Sequence, residues 1–219
     1  MKKTLEEHAD RFSEWADEYD ESQDSPEYKA CANLVVEYAD PQSSDTVLDL
    51  GTGTGAIALA LAPAAERVVG RDISEGMLAQ AREKADAGGH DTVEFGEGSF
   101  RDPNYDGPVD IVVSNFAMHH LSDEEKREAI QVIADLGPRR FVLGDVMFFG
   151  TPDPEEPFYS PEVDDPSTVG LLADALTDAG FALTAVEMVH EQVGVLVAEN
   201  TASAESVAEG SEAATETTE

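Results

Sequence analysis

The stretch VLDLGTGTG, Val47 to Gly55, carries a short aliphatic run into three glycines spaced one apart, with Asp49 two positions before the first of them. Thr46 to Leu50 is β-branched and aliphatic enough for a strand buried on both faces, as a parallel sheet requires. Gly51, Gly53 and Gly55 predict a turn, because a residue without a Cβ reaches positive φ and lets a ligand approach the backbone. Ala56 to Ala62, AIALALA, predicts a helix that Pro63 stops. Strand, glycine turn and helix N-terminus together make a nucleotide-binding crevice. The next strand, in VVGRDIS, ends at Asp72, about 20 residues beyond the first glycine, where a carboxylate can accept both ribose hydroxyl hydrogens.

Two cofactor classes suit such a crevice. Gly51, Gly53 and Ala56 satisfy G-x-G-x-x-G/A, the dinucleotide pattern of a nicotinamide-dependent oxidoreductase. Asp49 argues the other way, since a carboxylate beside the loop repels a pyrophosphate and suits the cationic ammonium of a methionine moiety. The whole string, with Asp49 before GTGTG and Asp72 after the second strand, resembles motifs I and II of the class I S-adenosylmethionine methyltransferases. That resemblance implies a Rossmann-like, doubly wound α/β sheet, mostly parallel with an antiparallel C-terminal hairpin, and S-adenosylmethionine as the cofactor.

The resemblance covers nearly the whole chain short of its tail. ISEGMLAQAREKA, from Ile73, looks like the helix that follows the ribose-binding acid, and implies that Ile73 and Met77 line the adenine pocket. VEFGEGSF, Val93 to Phe100, resembles the third strand and its turn; Ser99 stands where many relatives carry an aspartate that binds the adenine amino group. VDIVVSNFAMHHLSDEEKREAI, Val109 to Ile130, is similar to the fourth strand and following helix of small-molecule methyltransferases, and FVLGDVMF, Phe141 to Phe148, to the fifth strand. FSEWADEYD, Phe12 to Asp20, matches an N-terminal signature shared with quinone-biosynthesis C-methyltransferases, whose tyrosine, here Tyr19, closes over the methionine end of the cofactor. Together with HHLSDEEK and GDVMFF, these segments resemble the YrrT-like group, which lends no settled substrate. The cofactor site so implied comprises Tyr19, Asp49, Gly51, Thr52, Gly53 and Gly55. It continues with Asp72, Ile73, Met77, Ser99, Phe100, Ser114 and Asn115.

Composition bounds the rest. A chain of 219 residues, 41% hydrophobic, fits one domain with a full core. The formal charge of -34, from 47 acids against 13 bases, exceeds what solubility requires. Self-repulsion on that scale destabilises a compact state unless salt screens it, which near 1 M happens over about 3 Å. The chain therefore reads as an acid-coated halophilic protein of the cytoplasm. In concentrated salt the acidity by itself says little about partners, but the bases are scattered and no aromatic and basic interleaving marks an RNA path, so nucleic acid is not the expected partner. The lone Cys31 excludes an intramolecular disulfide and a cysteine-rich metal site, and no His, Cys and carboxylate spacing predicts a metal. MKKTLEEHAD has no apolar signal core and no stretch approaches 18 apolar residues, so no membrane segment is expected.

Along the chain the pattern predicts helices near 4–23 and 26–39, strand 46–50, helix 54–62, strand 66–71, helix 75–87 and strand 92–95. Strands 109–114 and 139–147 flank a helix at 122–135, and a helix at 166–179 precedes strands 181–189 and 192–198. Alternation implies a parallel sheet covered on both faces, and the two-residue gap around Glu191 implies a terminal hairpin. Residues 1–40 then read as a helical cap over the cofactor site, 41–199 as the methyltransferase core and 200–219 as a disordered acidic tail. The loop from Thr151 to Pro166, with five prolines, leaves the carboxyl end of a strand and is a candidate lid or substrate wall.

His119 and His120 are the catalytic candidates, since an imidazole of ordinary pKa acts as a base near neutrality. They follow Asn115 at the carboxyl end of the fourth strand, and Asp145 reaches the same rim. The bland alternative has one histidine packed in the core and the other ordering the turn before Ser122 caps the next helix. The expected function is methyl transfer to a small molecule. A nicotinamide oxidoreductase, a non-catalytic S-adenosylmethionine-binding protein and an RNA methyltransferase are the alternatives.

Overall fold

A computed structural model describes residues 4–23, 25–151 and 157–201. Seven strands lie in one sheet in the order β3-β2-β1-β4-β5-β8-β7, and a two-residue eighth strand, β6, pairs with β5. The strands are β1 (Thr46–Leu50), β2 (Arg67–Asp72), β3 (Val93–Glu97), β4 (Ile111–Asn115), β5 (Arg140–Phe148), β6 (Ser167–Thr168), β7 (Phe181–His190) and β8 (Val193–Asn200). The helices are α1 (Leu5–Ser22), α2 (Pro26–Ala39), α3 (Ala56–Leu61), α4 (Glu75–Gly88), α5 (Asp123–Asp135) and α6 (Val169–Asp178). Strands β1 to β5 run parallel, whereas β8 runs antiparallel to both β5 and β7. The doubly wound sheet with its terminal antiparallel hairpin is thus the expected architecture.

Burial on both faces explains why the central strands read as unbroken apolar runs: every residue of β1 and β4 is buried. Alternate side chains serve opposite layers. Leu48, Leu50 and Val112 pack with Phe141 and Leu143 against Ile130 and Ile133 of α5 and Leu172 and Leu176 of α6. Val47, Ile111, Val113 and Val142 pack on the other side against Cys31 and Val35 of α2 and Ile57 and Leu61 of α3. Helix α2 is therefore built into the core, and α1 makes its main helix contact with α4 at the sheet's carboxyl rim.

Differences from the predicted boundaries have local causes. Helix α3 begins at Ala56 rather than residue 54, because Gly55 sits at φ 86°, outside helical space. Helix α6 begins at Val169 rather than 166: Thr168 is extended and its hydroxyl accepts the Leu171 N–H, so the cap fixes the start. Strand β8 runs to Asn200, where the tail was expected to begin, and the Thr201 N–H reaches the Gly180 carbonyl. The remainder of that tail, 202–219, lies outside the described residues, as does the 152–156 part of the proline-rich loop. Strand β6 was not expected; two residues give no periodicity to read. Among the described residues no helix is long and apolar enough to cross a membrane.

Candidate functional site

The glycine turn is drawn into shape by its neighbours. Gly51 and Thr52 donate their N–H groups to the Arg71 carbonyl at 2.9 and 3.0 Å, while Gly53 donates to Oδ2 of Asp72 at 2.8 Å. Gly51, Gly53 and Gly55 all have positive φ, at 71°, 54° and 86°. A Cβ on Gly51 would lie 2.4 Å from that of Ala117, so the turn and the segment after β4 approach as closely as glycine allows. The other oxygen of Asp72 accepts the Ser74 N–H at 2.9 Å, and Ser74 caps α4 through Met77. One carboxylate thus ties the turn after β1 to the start of α4.

A cavity of about 180 Å³ opens above this turn. Of the predicted cofactor residues, Tyr19, Gly51, Gly53, Asp72, Ile73, Met77, Ser99 and Phe100 line it, as does His120 of the catalytic candidates. A smaller recess of about 20 Å³ shares Tyr19, Gly51 and Gly53 with it and adds Asp49, Thr52 and Asn115. Gly55, Ser114 and His119 line neither space. Gly55 makes room for the Phe95 ring and Ala81, Ser114 is fully buried within β4, and His119 turns inward. Ser99 is partly engaged, its hydroxyl accepting the Asp102 N–H at 3.1 Å.

Helix α1 forms the roof. Ser13 meets Ser74 hydroxyl to hydroxyl at 2.9 Å, the Thr54 hydroxyl donates to Asp20 at 2.6 Å, and Lys84 pairs with Asp20. These contacts hold Tyr19 over the recess, and burial raises its pKa. Asp49, at the recess floor, accepts the Thr52 hydroxyl at 2.7 Å. Burial, reinforced by the nearby Asp72, pushes its pKa up to about 7, the state of a carboxylate enclosed without a cation. Asp72 is also shifted upward by burial, and the N–H groups of Ser74 and Gly53 oppose the shift.

Sequence reading missed much of the far wall: His8, Phe12, Phe116, Ala117, Leu121, Arg101 and Glu125. His8 and Phe12 carried a signal, being four residues apart on α1 and hence on one face. Phe116 carried none. It lies at φ 53°, uncommon for a bulky residue, with its ring 5.0 Å from that of Tyr28. Nor did sequence spacing reveal what the two histidines meet. His119 donates its N–H to one oxygen of Asp145 at 2.9 Å, and its Nδ1 lies 2.5 Å from the other. Nδ1 of His120 lies 2.8 Å from Asp164, a residue of the proline-rich loop. Among the described residues, His119, His120 and Asp164 also offer potential metal-ligating atoms within 4.8 Å of one another, a grouping that a 44-residue separation hid from spacing arguments. None of the described loop residues from 157 to 166 lines the cavity; the loop instead backs the histidine turn.

The arrangement can bind an elongated ligand with a ribose-like diol near Asp72 and a cationic amine near Asp49, its far end meeting His120 between aromatic walls. Comparison with known proteins bears on this. Residues 47–136 match the family described as Methyltransferase domain. An uncharacterised methyltransferase of Geobacillus sp. (strain WCH70) is 36% identical over 145 residues, which are 63% of this chain and 66% of that one. A counterpart from Oceanobacillus iheyensis is 34% identical over 154 residues, 65% of this chain and 68% of that one. The Geobacillus match spans just under two thirds of the relative's length. Among solved structures, the methyltransferase in complex with the Haloferax volcanii Trm112 methyltransferase activator superposes with a TM-score of 0.71 at 20% identity, covering 86% of this chain and 96% of that one. Magnesium protoporphyrin IX methyltransferase from Synechocystis PCC 6803, with S-adenosylmethionine bound, gives 0.61 at 24% identity over 79% of this chain and 77% of that one. These last two likenesses are likenesses of fold.

Proposed function

The chain belongs to the class I S-adenosylmethionine-dependent methyltransferases, and on that premise we propose that it transfers a methyl group to a small-molecule acceptor bound at the His8, Phe12 and His120 end of the cavity. The single observation that carries the proposal is the continuity of the cavity, from Asp72 and Gly51 to an aromatic end closed by α1. When bound, S-adenosylmethionine supplies a methyl group made electrophilic by its sulfonium. The residues present fit it. In this reading Asp72 holds the ribose hydroxyls, Ile73, Met77, Ser99 and Phe100 enclose the adenine, and Asp49 and Asn115, under Tyr19, hold the methionine end. Gly55 and Ser114 act from behind, shaping the turn and β4. Helix α1 works as the cap that excludes water, and Phe12 and Phe116 orient the acceptor. His120 takes the proton of a protic acceptor, while His119 positions the turn.

The same reading makes the acid-coated chain a halophilic cytoplasmic protein, whose repulsion concentrated salt screens. Its relation to the YrrT-like group belongs here too, resting on the Tyr19 signature and the HHLSDEEK segment. The test is to supply methyl-labelled S-adenosylmethionine with separated small-molecule and macromolecular fractions of the source cells. Label is expected in the small-molecule fraction; label carried on RNA or protein instead would overturn the reading.

Asp49 adds a pH signature. Its carboxyl, raised from 3.8 to about 7 by burial, is largely protonated in the unliganded protein below that value. Because the folded value exceeds the unfolded one, the contribution of Asp49 to the stability of the unliganded protein falls as pH rises from 3.8 through about 7. A ligand ammonium favours the ionised form, so S-adenosylmethionine affinity is expected to rise with pH across that window, with release of a proton on binding. Titration calorimetry in two buffers of different ionisation enthalpy measures that proton. Equal heats in both buffers at the low end of the window would contradict the assignment.

A further inference from the structure

Two histidines side by side, each against its own carboxylate, divide their roles according to where they point. His119 is clamped twice by Asp145, which takes its N–H and faces its Nδ1, and it does not reach the cavity. His120 lines the cavity, packed against the rings of His8 at 5.4 Å and Phe12 at 5.2 Å. Its Nδ1 is directed at Asp164. We propose that Asp164 is the positioning residue that places the His120 proton on Nδ1, leaving Nε2 as the basic nitrogen of the acceptor end. This rests on the reading of that end as the place where the acceptor loses its proton.

The loop is built to present this one carboxylate. Oδ2 of Asp164 accepts the Ser160 N–H at 2.7 Å, leaving Oδ1 for the imidazole. The Asp164 N–H itself returns to the Ser160 carbonyl at 2.9 Å. The next residue ties the loop to the histidine turn, the Asp165 N–H meeting the His119 carbonyl at 2.7 Å. Lys126 of α5, buried to 2% exposure, donates its ammonium to the Asp165 carbonyl, and the Ser167 hydroxyl donates to Asp123 at 2.5 Å. These contacts tether the described part of the loop beside the histidine turn.

The location of the proton follows from the charges. Among the described residues, the charged and titratable groups about His120 are His8 from α1, His119 from its own turn, Asp145 from β5, Asp164 from the loop and, behind Asp165, Lys126 from α5, with Arg101 and Glu125 lining the same cavity. Burial raises the Asp164 carboxyl, but the His120 hydrogen bond and the neighbouring imidazoles more than offset this and hold it below the usual value. It is therefore an ionised, acceptor-only group. Burial, with His119 alongside, pushes His120 down to about 4, below the ordinary value expected from the sequence and therefore a weaker base than expected, and near neutrality its ring carries a single proton. An acceptor-only partner at Nδ1 requires that proton to be on Nδ1. When a protic acceptor reacts, its bond to hydrogen breaks and the proton passes to Nε2, while the acceptor atom bonds to the methyl carbon. The departing sulfur keeps the electron pair of the broken sulfur–methyl bond.

Nitrogen-15 spectra of histidine-labelled protein, saturated with S-adenosylhomocysteine and assigned with His120→Gln, test the tautomer directly. In the wild type near neutral pH, His120 is expected to show a protonated Nδ1 and a bare Nε2. In Asp164→Ala its resonances are expected to shift toward the Nε2–H form and its pKa to fall further, with S-adenosylhomocysteine affinity unchanged. Asp145→Ala is expected to move His119 and leave the His120 tautomer in place. A wild-type His120 protonated on Nε2 would overturn the inference without any variant, and so would an unchanged tautomer in Asp164→Ala. Failure of the wild type to bind S-adenosylhomocysteine would instead remove the methyl-transfer reading, whichever tautomer His120 shows.

Discussion

Asp72→Ala is expected to weaken S-adenosylmethionine binding by about 10- to 100-fold. The carboxylate does two things at once: it faces the cavity, where the reading places the ribose, and it accepts the Gly53 and Ser74 N–H groups at 2.8 and 2.9 Å. Removing it takes away the charged acceptor of the ribose hydroxyls, worth about 1–3 kcal/mol, and a tenfold change in affinity corresponds to about 1.4 kcal/mol; the two backbone donors left unpaired lower the stability of the free protein as well. Asp72→Asn separates the two roles. It keeps an oxygen for one backbone donor but loses the charge and the second acceptor, so its loss should be smaller than that of alanine. Calorimetric titration of the three proteins decides the matter, and equal affinity in all of them would remove Asp72 from the site.

The second large effect is expected at Gly51. A Cβ there would sit 2.4 Å from the Ala117 Cβ, and neither atom has a torsion with which to move away. The backbone at φ 71° adds about 1–2 kcal/mol for an L side chain. Gly51→Ala must therefore shift the β1 turn away from the segment after β4, closing or distorting the cavity between them. The expected outcome is loss of measurable cofactor binding and a fall of several degrees in melting temperature. Gly53→Ala is the control for melting temperature, because in the free protein the nearest atom to its new Cβ is a Tyr19 ring carbon 3.9 Å away, leaving only the strain of φ 54°. If both variants melt alike, the close approach at Gly51 is not what shapes the turn.

Much of this was legible in the sequence because local rules govern it. The strand, the glycine turn and Asp72 are adjacent in the chain or one strand apart, and their spacing maps directly onto neighbouring positions in a parallel sheet. The capping of α4 by Ser74 and of α5 by Ser122 is equally local. What escaped is what only the closed fold brings together. Asp164 meets His120 across 44 residues, through a loop whose composition signals stiffness but not direction. Phe116 enters the wall through a positive φ that no residue type announces. His8 shows the intermediate case: its spacing to Phe12 puts both on one face of α1, but spacing alone does not say what that face meets.

The most direct measurement is calorimetric titration of S-adenosylmethionine, S-adenosylhomocysteine and NADH into the protein in roughly 2 M KCl, which screens its charge. Asp49, enclosed as a carboxyl without a cation, and the glycine turn joined to Asp72 predict saturable one-to-one binding of the first two and none of the third. Binding of NADH alone to the folded protein would contradict the account, because it would require Asp49 to accept a pyrophosphate. So would a folded protein that binds none of them.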